Sequence, residues 1–144
     1  MFNFFKKKKE NPISKVFTDL TSNQKMSVLN LLISIAVCDS GQGDRAKETK
    51  FLNTYIDILG VRSDKSMDYL ESQGQSRLIS DLKPLSQTLK EFLVIVAFDL
   101  INCDGSPNEP ELVMLTSLFG QIGINEDKLF EVLKKSQLIS KRFQ

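Results

Sequence analysis

Asp104, Gly105 and Glu111, within INCDGSPNEPELVML, have the spacing of positions 5, 6 and 12 of a calcium-binding EF-hand loop. Carboxylates so placed could hold a hard cation through oxygen. Position 1 falls on Leu100, which cannot ligate, and position 8 on Pro107, where an aliphatic residue is expected. The loop is therefore not a standard EF-hand. Asn108 to Glu111 also has the form of a capping box, with Asn108 as N-cap and Glu111 reaching back from the third helical position. Such a cap contributes about 0.5–2 kcal/mol without any metal. Pro110 suits a first helical turn, where amides need no intrahelical partner. Cap and cation ligand both stay open.

An altered copy of this arrangement lies upstream. CDSGQGDRAKE carries Asp39, Asp44 and Glu48, against CDGSPNEPE in the second copy, and its loop is two residues longer. Asp39 and Asp104 each follow an apolar helical stretch. A negative charge there meets the negative end of the helix dipole and costs roughly 0.3–1 kcal/mol. Loop amides, the next helix N-terminus, a lysine or a bound cation could offset it. Should the two loops meet, Asp39, Asp44, Glu48, Asp104 and Glu111 would form one acidic cluster with a preference for calcium, magnesium or manganese.

Other chemistries lack their residues. The chain has no histidine, and hence no imidazole base, nucleophile pair or imidazole ligand. Its two cysteines, Cys38 and Cys103, are 65 positions apart and too few for a structural zinc site. There is no Gly-rich phosphate loop, so a non-enzymatic protein is expected. Each cysteine ends an apolar helix and reads as a small buried hydrophobe, with a thiol pair responsive to oxidants as the alternative. Asp99, inside FLVIVAFDLIN, reads as a buried, hydrogen-bonded structural residue.

The elements that must position these residues are helical. Apolar residues recur at helical spacing nearly throughout, with no convincing period-2 strand. Ile13, Val16, Phe17 and Leu20 suggest a short first helix, and Thr21 to Asn23 cap a second that runs to Val37. Further helices are expected near 46–59, 64–72, 77–83, 85–102, 110–122 and 126–138, with glycines between them and Pro84 in the first turn of the long one. At an offset of 63, Glu48–Leu70 matches Glu111–Leu133, including Glu48 with Glu111, Leu52 with Leu115, Gly60 with Gly123 and Asp64 with Asp127. The expected fold class is all-α: a single compact bundle of about seven to eight helices made of two pseudo-twofold-related repeats.

The duplicated pattern of apolar helix, Asp-Gly, short polar loop, Glu, apolar helix and Gly-Ile resembles the tellurite-resistance TerB-like family. The second copy is AFDLINCDGSPNEPELVMLTSLFGQIGI and the first SIAVCDSGQGDRAKETKFLNTYIDILGV, so the resemblance spans roughly residues 24 to 135. Asp104, Gly105 and Glu111 match the family's signature directly, and Asp39 and Glu48 through an insertion. The resemblance implies a helical domain, divalent-cation binding through acidic loop residues, and a role in bacterial stress and tellurite resistance. Related domains also sit at the N-terminus of membrane-anchored DnaJ-type co-chaperones, but no J-domain pattern occurs here.

The chain of 144 residues fits one domain with a sizeable core. Net charge is +1, of which Lys6, Lys7, Lys8 and Lys9 supply +4, leaving a body of −3. No basic face suited to nucleic acid is evident. The divisions expected are an arm at 1–12, a TerB-like domain at 13–138 (repeats near 24–72 and 85–135) and a tail at 139–144. In the arm, Phe2, Phe4 and Phe5 precede the four lysines, a composition suited to weak contact with an anionic membrane surface or to a solvated tail. With no signal-peptide pattern and no run near the roughly 20 apolar residues of a membrane span, a cytoplasmic location is expected, peripheral at the inner membrane face if the arm engages lipid. Protein partners or a homodimer through an exposed helix face are expected. The competing reading is a helical protein-interaction scaffold whose acidic loop residues are only caps.

Overall fold

The computed structural model describes residues 12–38, 45–103 and 109–142. One 3₁₀ segment, Pro12–Phe17, leads into six α-helices: α1 (Ser22–Val37), α2 (Arg45–Leu59), α3 (Ser63–Leu82), α4 (Gln87–Asn102), α5 (Glu109–Ile122) and α6 (Glu126–Arg142). No strand occurs among the described residues. The all-α class holds. The first expected helix is a 3₁₀ segment, and the helices expected at 64–72 and 77–83 lie on either side of a break at Gly74 within Ser63–Leu82.

That break is sharp. Gly74 has φ 79° and ψ 172°, a region open essentially to glycine alone. Tyr69 donates to Asp81 Oδ2 at 2.7 Å across it. In a straight helix these residues would stand about 18 Å apart along the axis, beyond the reach of both side chains. The chain therefore turns back on itself, and Leu78 and Leu82 enter the core from the second half of α3.

α1 is the central helix. Ser27 to Leu32 are all buried, as expected of a helix covered on several sides. It packs on α2, α3, α4 and α5, most extensively on α3. A capping box starts it: the Thr21 hydroxyl accepts from the Gln24 amide at 3.1 Å, and the Gln24 side chain accepts from the Thr21 amide at 3.0 Å. α4 starts in related fashion, with Ser86 accepting from the Leu89 amide. Pro84 consequently lies in the turn before α4 rather than in its first turn. Leu93, Val94, Ala97, Leu100 and Ile101 of α4 are buried with Leu115, Leu118, Phe119 and Ile122 of α5.

α1 and α4 are both 16 residues long and end on Cys38 and Cys103, whose amides bond back to the Ile35 and Leu100 carbonyls. α2 and α5 end on positive-φ glycines, Gly60 at 68° and Gly123 at 119°. Beyond each glycine the amide of the next residue, Val61 or Ile124, bonds to the carbonyl of Ile56 or Phe119 in a Schellman-type closure.

Candidate acidic site

Each sequence-nominated glutamate lies in the first turn of a helix that follows a Cys-Asp pair in the sequence: Glu48 in α2 and Glu111 in α5. Both are buried, Glu48 at 3% exposure and Glu111 at 0%. The N-terminal turn suits a carboxylate, because helix amides and the positive dipole end face it. Full burial goes further than a surface cap requires, since a carboxylate leaves water at high cost unless charge or hydrogen bonding compensates. Asp39, Asp44 and Asp104 lie outside the described residues, as does Asn108, the expected N-cap. Phe2, Phe4, Phe5 and Lys6 to Lys9 of the arm lie outside them too. α2 and α5 both pack on α1. Among the described residues no three Asp, Glu or Cys side chains gather into a metal-sized group.

The donor set is compatible in kind with a hard cation. Glu48 and Glu111 offer carboxylate oxygens withdrawn from bulk water, and the described parts of both junctions offer no nitrogen ligand. Calcium, magnesium or manganese fits such donors better than softer metals.

Both cysteines are half-buried rather than fully buried. The Cys38 thiol donates to the Ile35 carbonyl at 3.0 Å, within its own helix. Cys103 lines a shallow surface cavity of about 310 Å³ with Lys47, Lys50, Phe51 and Thr54 of α2. Asp99 departs from expectation: it is exposed on α4 and not an inner hydrogen-bonding residue. Position 99 falls on the outward side of the α4 stripe, whose buried residues are Val96, Ala97, Leu100 and Ile101. Partial desolvation beside the apolar surface still raises its carboxyl pKa. Burial likewise raises the Tyr55 phenol, helped by the nearby Asp99 charge.

A well-connected polar cluster around Asp81 was not visible in the sequence. Asp81 accepts from Ser27 at 2.8 Å, Tyr69 at 2.7 Å and Arg77 at 3.2 Å, and its carbonyl accepts from Gln24 at 3.3 Å. Arg77 also donates to the Tyr69 hydroxyl at 2.9 Å. The Tyr69 pKa is raised by burial and by the bond to Asp81. The cluster joins both halves of α3 to α1. Its one sequence signal is an aspartate set between Ile79 and Leu82, seven residues past Gly74. Buried Asn30 adds a second tie, donating to the Ser66 carbonyl at 2.8 Å.

Compared with protein-family models, curated proteins and solved structures, the chain has no match.

Proposed function

We propose that the chain is a non-enzymatic, TerB-like helical protein that takes up a divalent cation at its acidic loop-helix junctions. Two pseudo-twofold-related repeats make up the bundle, each consisting of an apolar 16-residue helix, a Cys-Asp loop and a Glu-led helix closed by glycine. The observation that carries the reading is the burial of Glu48 and Glu111 at matched positions, where a cap alone would tolerate exposure. These two carboxylates, with Asp39, Asp44 and Asp104 from the loops, are the residues that would hold the ion. The bound ion would neutralise the loop carboxylates and tie each loop to the following helix. A role in bacterial stress and tellurite resistance follows from the family resemblance, and a cytoplasmic location from the N-terminal sequence, which has no signal-peptide pattern.

Calorimetric titration of the full chain with calcium, magnesium and manganese tests this. Binding of at least one ion is expected, with affinity lowered in Asp104→Ala and in the near-isosteric Glu111→Gln. Absence of binding by all three ions in the folded wild type would refute the reading and leave the acidic residues as caps.

A second reading, a protein-interaction scaffold, has its own support. Val113 on α5 and Phe130 on α6 are 61% and 57% exposed, an unusual placement for two large apolar side chains on neighbouring helices.

A further inference from the structure

The α5–α6 face and its sequence-equivalent on α2 both carry a surface groove, but the two differ in lining. Leu112, Val113, Thr116 and Ser117 of α5 line a cavity of about 410 Å³, flanked by Glu109 and by Glu126 of α6. Phe130, 57% exposed, lies one turn beyond Glu126 on the same side of α6. Sixty-three residues earlier, the matching positions on α2 form a surface lined by Ala46, Thr49, Lys50, Asn53 and Thr54. Threonine and lysine thus stand where α5 has Leu112 and Val113. Leu112 packs partly against the core, whereas Val113 is 61% exposed, so it is at Val113 that the bundle does not need an apolar residue.

Charge along α6 indicates what covers the groove. Glu126, Phe130 and Lys134 succeed one another at four-residue intervals and are all exposed. Among the described residues Glu126 and Lys134 enter no ion pair, whereas Glu131 pairs with Lys128 and Lys135. A stripe reading acidic, aromatic, basic is complementary to itself when run antiparallel. A two-fold axis through Phe130 sets each Glu126 against the Lys134 of the other copy. The corresponding stripe on α3, Ser63, Met67 and Glu71, lacks this property.

We propose that the chain forms a two-fold dimer through α5 and α6, the two Phe130 side chains packed on each other at the axis beside the Val113 surfaces and flanked by reciprocal Glu126–Lys134 pairs. An isologous interface repeats each contact, so one substitution acts twice. The aromatic anchor supplies affinity and the charge pairs set the antiparallel register.

Sedimentation equilibrium of the full chain from about 1 to 300 µM tests this, a range that brackets micromolar affinity. A concentration-dependent dimer is expected. Phe130→Glu, and Val113→Lys, which copies Lys50, should each weaken it at least roughly tenfold. Glu126→Lys and Lys134→Glu should each weaken it, and the double exchange should restore it above both. All four positions are exposed or at the groove surface, and unchanged circular dichroism confirms that each variant is folded. A wild type monomeric throughout the range overturns the proposal, as does a dimer indifferent to Phe130→Glu. A double exchange no tighter than the single variants also overturns it, because the register argument then fails.

Discussion

Gly74→Ala separates two descriptions of α3 by sign. Were residues 63–82 one continuous helix, alanine would be preferred over glycine by about 0.8–1 kcal/mol, and the variant would be stabilised. With Gly74 at φ 79° and ψ 172°, an L-residue is strained by roughly 1–3 kcal/mol and the variant is destabilised. Packing does not blur the comparison, because an added Cβ at position 74 meets no atom within 4 Å. The difference therefore resides in the backbone, and the two outcomes lie about 2–4 kcal/mol apart. For a domain of this size the expected loss lowers the melting temperature by about 4 °C per kcal/mol. Urea denaturation at fixed slope gives the free energy directly, and near-ultraviolet circular dichroism reports whether Tyr69 keeps its environment beside Asp81. A variant as stable as the wild type, or more so, with an unchanged denaturant slope would refute the turned-back α3 and the cross-break hydrogen bonds that depend on it.

Other expectations concern the same framework. Asp81→Ala removes a carboxylate with 11% side-chain exposure that accepts from three side chains, and should cost about 1.5–3 kcal/mol by urea denaturation. Asp99 has a raised pKa when folded, so the folded state binds more protons between the unfolded and folded values, and stability falls as pH rises through that window. Asp99→Asn should therefore be more stable than wild type above the window and equal to it below, in melts recorded across pH. The same variant should lower the Tyr55 pKa, read by tyrosinate absorbance in a Tyr69→Phe background. Gly123→Ala should be costlier than Gly60→Ala: the former also places a methyl 3.3 Å from the Lys90 ammonium at φ 119°, whereas position 60 opens onto empty space.

Local signals in the chain served well where the physics is local. Thr21 and Gln24 are a capping box by type and spacing, and they form one. Gly60 and Gly123 precede β-branched residues and close their helices as such sequences should. Pro84 was misplaced because proline is equally at home in a turn and in a first helical turn, and Ser86 made the better cap. Asp99 was misplaced because a polar residue inside an apolar run can fall on either side of the helical stripe.

By itself the sequence determined an all-helical chain, its main breaks, and two Glu-led helices following Cys-Asp loops, since periodicity, caps and glycines act within a few residues. Tertiary structure decided what depends on residues distant in the chain: the central place of α1, the burial of Glu48 and Glu111, and the groove left open on α5 and α6. It also decided that Asp81 gathers Ser27, Tyr69 and Arg77, because only the reversal at Gly74 brings a residue twelve positions away within hydrogen-bond reach.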